Sequence, residues 1–154
     1  MLAEYINPFV AAAAEVLKAE TKSDARRAGE LRLDRGPETS QDVTCLVGLA
    51  GDVSGVVMLA MPQSVAVKLF DAMSGEETHE IDAMARSALC ELTNMITGRA
   101  AIKLAELGTN AELTPPWMLD GRGVTLNTLA LPRLVIPLAT THGPVELNLA
   151  VSSA

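Results

Sequence analysis

The sequence predicts an α+β fold in which helices pack on a mainly antiparallel β-sheet, and three observations lead to it. Helix-like stretches alternate with groups of strand-like stretches, in the order α, several β, α, α, several β. The strand-like stretches come in neighbouring pairs joined by short turns that contain glycine, which is typical of antiparallel hairpins. The chain has 154 residues, of which 49% are hydrophobic, so it can form one core and is short for two. We therefore expect a single domain over residues 1–154.

The N-terminal third is predicted as a helix, a strand and a β-hairpin. Asn7-Pro8 has the pattern of an N-cap followed by the first helical residue, so a helix is expected from there to about residue 21. Apolar and polar residues alternate over 29–34, which predicts a half-buried strand. Two apolar runs, 43–50 and 56–61, are separated by a glycine-containing turn. Since glycine tolerates the positive φ values of a tight reversal, these runs predict a hairpin.

Two helices are predicted in the middle of the chain. The first covers 63–74, because Pro62 can open a helix and Gly75 can end it. The second and longer helix runs from about residue 80 to 107. Its apolar residues recur at spacings of four, four, three and four, which predicts one face turned to the core. These residues are Ile81, Ala85, Leu89, Leu92 and Ile96.

The last third is predicted as a short strand over 111–114, a loop from Pro115 through Gly123, and two final strands, 133–140 and 145–152. Pro137 cannot donate a ladder hydrogen bond, so its strand is expected at an edge of the sheet or with a bulge. The last strand alternates apolar and polar residues, and no later element follows that could cover its edge. An uncovered edge favours pairing with a second copy, so we expect a homodimer built from the last strands.

Charge and composition limit the possible partners. The net charge is −7, and residues 36–98 contain nine acidic and only two basic side chains. The basic group within 22–27 is offset by acidic neighbours, so nucleic acid is not expected as a partner. No apolar run approaches the roughly 20 residues that cross a bilayer. The acidic middle instead suits a protein with a basic contact surface, and a cytoplasmic location is expected.

Neither cysteine nor histidine shows the spacing of a metal site. Cys45 and Cys90 lie far apart in sequence without a paired motif, so we expect buried, reduced thiols. His79 and His142 are also isolated from one another and are predicted as surface or loop residues. No metal site is therefore expected in this chain.

The long helix carries the candidate functional residues. At about 100° per residue, Ser87, Glu91, Asn94 and Gly98 fall within about 60° of one another, opposite the apolar stripe. A carboxylate and a carboxamide would then project together from a rigid helix, with a small residue on either side. Spacing alone does not distinguish such a face from an ordinary solvated one.

These residues resemble a known signature. Ser87-x-x-x-Glu91-x-x-Asn94, followed by Pro115 or Pro116, is similar to the motif of the CheC/CheX/FliY phosphatase family. In that motif the proline follows the Asn after about 22 residues. Here the intervening stretch has 20 or 21 residues, depending on which proline is the equivalent one.

The resemblance extends over about residues 5–152. Segments 48–55, 94–98 and 113–116 are similar to CheX segments and occur in the same order. CheC proteins carry the Glu-x-x-Asn pair on two helices and CheX proteins on one. Since the predicted helix 63–74 lacks the pair, the chain resembles the CheX type. A CheX/CheC-like form of the α+β fold is therefore implied.

The resemblance also implies a function. CheX-type proteins are phosphatases that hydrolyse the aspartyl phosphate of the response regulator CheY. Asn94 is implied to position the attacking water, and Glu91 to pair with the regulator's active-site lysine. The Mg²⁺ ion of the reaction is expected on the regulator, and no cofactor on this chain.

Four further residues are implied to contact the partner, and two other functions remain open. The resemblance to CheX-type proteins also implies a homodimer with a continuous sheet, which agrees with the dimer expected above. One alternative is a non-catalytic module that binds a response regulator, and another is a structural protein related to the flagellar switch. The intact Glu-x-x-Asn pair argues against the second, because the middle domain of FliM lacks it. The partner-binding residues are Ser87, Gly98, Pro115 and Pro116.

Overall fold

A computed structural model of the chain describes residues 3–36, 38–126 and 132–153. Within these residues, three helices pack against an antiparallel sheet of eight strands, which confirms the predicted fold class. The helices are α1 (Ala3–Thr21), α2 (Gln63–Ser74) and α3 (Ala83–Glu106). The strands are β1 (Ala25–Arg27), β2 (Arg32–Asp34), β3 (Val43–Gly51), β4 (Val53–Met61), β5 (Ala111–Leu113), β6 (Trp117–Asp120), β7 (Arg133–Thr140) and β8 (Gly143–Ser153).

The strand order places the last strand inside the sheet. The order is β1-β7-β8-β4-β3-β5, with β2 also paired to β7 and β6 also paired to β3. Strand β8 therefore forms ladders with β7 on one side and β4 on the other. The prediction that its edge is uncovered is wrong. Alternation along a strand shows which face is buried, but it does not show which distant strand lies beside it.

Both edges of the sheet are made of two short strands. On one side, β2 pairs with residues 133–135 of β7 and β1 pairs with residues 138–140. Pro137 lies opposite the interruption, where its carbonyl accepts a 2.9 Å hydrogen bond from the Ala28 N–H. Strand β7, which contains Pro137, is therefore the second strand of the sheet and not the edge strand that was predicted as one alternative. Since residue 137 has no N–H to donate, the edge beside it is divided into β1 and β2.

The predicted helix ends are confirmed in part. Gly75 ends α2 with φ of 77°, as its position predicted. Asp82 caps α3 by accepting a 2.9 Å hydrogen bond from the Ala85 N–H. The predicted start of α1 at Asn7-Pro8 is wrong, because the helix already begins at Ala3. Tyr5 is buried on this added turn, and this packing favours helix ahead of the proline.

The core lies between the helices and the sheet, and α3 contributes its predicted stripe to it. Ala85, Leu89, Leu92 and Ile96 are fully buried, whereas Ile81 lies just before the helix and packs on the core from its rim. Burial of a large aliphatic side chain contributes about 1.5–3 kcal/mol. The opposite face of α3 is thereby held in a fixed orientation towards the surface.

Candidate active site on helix α3

The exposed face of α3 carries the four helical residues that the sequence singled out. Ser87 and Glu91 are exposed, while Asn94 and Gly98 are partly buried. All four lie in the continuous helix and away from its buried stripe. The structure therefore brings Glu91 and Asn94 together one turn apart, with small residues above and below.

The interrupted edge β5–β6 runs beside this helix. A Cβ built on Gly98 would lie 3.8 Å from the Leu113 Cδ2 atom in β5. Near the other end of the helix, Arg86 forms an ion pair with Asp120 in β6. Gly98, in the C-terminal half of α3, thus lies beside β5, and Arg86, near its N-terminal end, lies beside β6. Since β5 precedes β6 in the chain, this edge runs antiparallel to α3. The connection between β5 and β6 therefore lies along the middle of α3.

This connection contains both candidate prolines. Thr114 fixes its start: the Thr114 N–H donates to the Gly48 carbonyl at 3.0 Å, and the Gly48 N–H donates to Thr114 Oγ1 at 2.9 Å. A Cβ on residue 48 would lie 2.7 Å from that hydroxyl, so the glycine leaves room for the Thr114 side chain in this position. Pro115 is exposed and Pro116 is partly buried. The sequence predicts a loop here, whereas residues 117–120 form β6; a strand of four residues gives little periodic signal.

The charges on α3 leave one carboxylate available in the middle of the helix. Arg86 is paired with Asp120, and Arg99 and Lys103 both contact Glu15 of α1, at 3.5 and 2.7 Å. The Lys103 hydrogen bond lowers the pKa of Glu15. Among the described residues, Glu91 has no ion pair or hydrogen-bond partner. Its carboxylate is thus free to bind a cation on another molecule.

The two cysteines meet beneath this face. Cys45 on β3 is buried, as predicted, whereas Cys90 on α3 is only partly buried and directly precedes Glu91. A hydrogen bond from the Cys45 thiol lowers the pKa of Cys90 to about 7 and outweighs burial, which acts in the opposite direction; the charge of Arg86 makes a smaller lowering contribution. The same contact, together with burial, raises the pKa of Cys45. Neither cysteine forms a disulfide bond.

We expect the two thiols to differ in reactivity. Because the pKa of Cys90 is lowered to about 7, half of it is thiolate near neutral pH and the fraction grows as pH rises. Alkylation by iodoacetamide should modify Cys90 first, with a rate that rises most steeply between about pH 6 and 8. Mass spectrometry of the modified peptides measures this, and Cys90→Ser is the control. Equal labelling of Cys45 in the native protein would contradict the described contact.

Metal clusters and membrane-spanning helices are both absent from the part of the chain that the structure describes. In residues 3–36, 38–126 and 132–153, no three or more His, Cys, Asp or Glu side chains are grouped in a way that could hold a metal ion. In the same part of the chain, no helix has both the length and the apolar character needed to cross a membrane. The absence of a cofactor on this chain stays a prediction.

Comparison with known proteins assigns the family. The sequence model of the protein family described as chemotaxis phosphatase CheX matches residues 43–139, which include α3 and the β5–β6 edge. The chain belongs to the CheX family. It is 30% identical over 118 residues to the CheY-P phosphatase CheX of Thermotoga maritima, over 75% of this chain and 76% of the relative. Membership of this family makes the chain a phosphatase, that is, a hydrolase.

Solved CheX structures share the fold over nearly the whole chain. The chemotaxis protein CheX of Desulfovibrio desulfuricans has a TM-score of 0.84 and 26% identity, over 98% of this chain and 99% of that one. The CheX of the CheX–CheY–BeF₃–Mg²⁺ complex from Borrelia burgdorferi has a TM-score of 0.80 and 26% identity, over 97% and 98% of the two chains. The resemblance of the sequence to CheX-type proteins is therefore confirmed.

Proposed function

We propose that this CheX-family chain hydrolyses the aspartyl phosphate of a CheY-like response regulator through the exposed face of α3. The observation that carries the proposal is the pair Glu91 and Asn94, which lies on a rigid helix opposite a buried stripe and within the stretch that the family model matches. The Thermotoga relative is named as a phosphatase of phosphorylated CheY. The Borrelia structure contains CheX together with CheY, BeF₃ and Mg²⁺.

The proposed chemistry needs little from this chain beyond positioning. An aspartyl phosphate is already activated, and its hydrolysis needs a water in line with the phosphorus and stabilisation of the transferring group. The Asn94 amide can accept and donate hydrogen bonds at once, so it can orient that water without changing its own protonation. The Mg²⁺ ion would be held by the regulator.

Glu91 is proposed to set the register of docking. Its carboxylate has no partner among the described residues, and it lies one turn from Asn94. An ion pair with the regulator's active-site lysine would place the phosphoryl group over Asn94. Ser87 and Gly98 keep the surface low on either side, so that the partner can approach the helix closely. Pro115 and Pro116 would contact the partner from the neighbouring edge.

The experiment that tests the function is multiple-turnover phosphate release. The purified chain is incubated with each phosphorylated response regulator of its own organism, and decay is compared with the regulator's own rate. We expect faster decay for at least one regulator at substoichiometric concentrations of the chain. Binding without faster decay would instead support a non-catalytic module, and neither binding nor decay would favour a structural role.

Docking is expected to weaken as ionic strength rises. Residues 36–98 carry an excess of acidic side chains, and Glu91 is proposed to contact a lysine of the regulator. Both attractions are electrostatic and are screened by salt. Between about 50 and 500 mM salt, the Kd for the regulator should rise several-fold, mainly through a slower association rate. Titration at several salt concentrations measures this. A Kd that is flat over that range would contradict electrostatic docking.

A homodimer remains part of the proposal, although not through the predicted edge. Since β8 is internal, continuation of the sheet would have to use the β1–β2 edge or the β5–β6 edge. Pairing along the β5–β6 edge would cover Pro115 and Pro116, which are proposed to contact the regulator, so the β1–β2 edge is the better candidate. Light scattering should give twice the monomer mass of 16.2 kDa. A monomer at micromolar concentration would remove the dimer but not the phosphatase. The proposal also places the chain in the cytoplasm, together with its regulator.

A further inference from the structure

Two large hydrophobic side chains of α3 are turned to the surface. Met84 is 70% exposed and Ile102 is 59% exposed, and both belong to the most exposed large hydrophobic side chains of the described residues. Single exposed hydrophobic side chains are common on protein surfaces and need no special reason. What distinguishes these two is their position relative to Glu91.

Both side chains share the helix face of the proposed catalytic pair. Met84 precedes Glu91 by seven residues, and Ile102 follows it by eleven. At about 100° per residue, both intervals are nearly whole numbers of turns, so each residue lies within about 20° of Glu91 around the helix. We call the line formed by Met84, Glu91 and Ile102 the docking stripe. Its length is about 27 Å, at 1.5 Å per residue.

The contacts of α3 leave this stripe open. On one side of the helix, Arg99 and Lys103 are held by Glu15 of α1. On the other side, Arg86 is held by Asp120 of β6. The stripe between these ion pairs contains one unpaired carboxylate in the middle and an apolar side chain towards each end. Exposed apolar side chains of this kind, methionine among them, are enriched in protein contact surfaces. A carboxylate between them can pair with a cation of the partner.

We propose that Met84 and Ile102 are docking anchors for the phosphorylated response regulator, one at each end of its footprint. The inference rests on the proposed function and extends it to the residues that determine affinity. A stripe of about 27 Å fits within the footprint of a standard protein interface, which buries about 800 Å² on each partner. The partner surface would then have a lysine beside its phosphorylated aspartate and apolar patches on both sides of it. Because the anchors lie away from the reacting atoms, they act on binding and not on the chemical step.

The test compares the double variant Met84→Ser/Ile102→Ser with Leu107→Ser. Leu107 is 71% exposed but lies at the C-terminal end of α3, outside the docking stripe, so it is a matched control. Binding is measured with the Mg²⁺–BeF₃ form of the regulator, and turnover with the phosphorylated form. In the double variant we expect Kd and KM to rise about five- to thirty-fold, while kcat stays within about twofold. Leu107→Ser should match the wild type.

Three results with the variants would overturn the anchors. One is an unchanged Kd and KM in the double variant, and another is an equal loss in Leu107→Ser. The third is a change from dimer to monomer with unchanged Kd, which would assign the stripe to self-association. Failure of the proposed function alone looks different, because the wild type would then bind the regulator without accelerating phosphate release, whereas a wild type that binds no regulator would overturn the anchors as well. Binding by the variants would still test the anchors when only the proposed function fails.

Discussion

Replacement of Asn94 by Ala is expected to lower kcat for phosphate release by about a hundredfold or more, because the water then loses its orienting amide. Glu91→Ala should mainly raise KM, by about tenfold or more, since its proposed role is docking. Phosphate release under saturating and subsaturating regulator separates the two effects. Wild-type rates in the variant Glu91→Ala/Asn94→Ala would refute the catalytic assignment.

The same variants should leave the fold intact. Both side chains project from the face of α3 that is opposite the buried stripe, where substitutions usually change stability by about 0.5 kcal/mol or less. Two exposed helical residues offer matched controls: Asn7→Ala on α1 removes an amide, and Glu106→Ala on α3 removes a carboxylate. Neither control should change kcat or KM. Thermal unfolding of all four variants checks that lost activity does not reflect lost structure.

Gly55→Ala is expected to destabilise the protein by more than about 3 kcal/mol, which is a large part of the typical stability of a domain. Gly55 lies in β4 with φ of 138°, paired to Leu49 on one side and Val151 on the other. A Cβ there would overlap the Ala150 carbonyl oxygen and lie 2.8 Å from the Val151 Cα atom. Because β4 is flanked by β3 and β8, its backbone has little room to move away.

Gly75→Ala is the matched control for this substitution. Gly75 also has a positive φ, of 77°, but nothing lies within 4 Å of the position of an added Cβ. Its cost should therefore be only the conformational one, about 1–2 kcal/mol. Urea unfolding curves compare the two variants. A Gly55→Ala midpoint equal to that of Gly75→Ala would contradict the close contact between β4 and β8.

Local features of the sequence determined the middle of the fold and the candidate pair. The 43–61 hairpin, helix α2 with Gly75 at its end, and the core stripe of α3 were all predicted, because turn chemistry and hydrophobic periodicity act over a few residues. The same periodicity placed Ser87, Glu91, Asn94 and Gly98 on the opposite face. The motif that these residues form also indicated the family, which the comparisons confirm.

Only the tertiary structure decided what depends on distant neighbours. It placed β8 between β7 and β4, although its alternating sequence is equally suited to an edge, because burial of one face does not select a hydrogen-bonding partner. It brought Cys45 against Cys90 and the β5–β6 edge beside α3, contacts between residues far apart in the chain. It also showed that Met84 and Ile102 are exposed to solvent. The sequence could not reveal this, because exposure depends on the elements that pack around a helix, whereas periodicity indicates only which residues share a helix face.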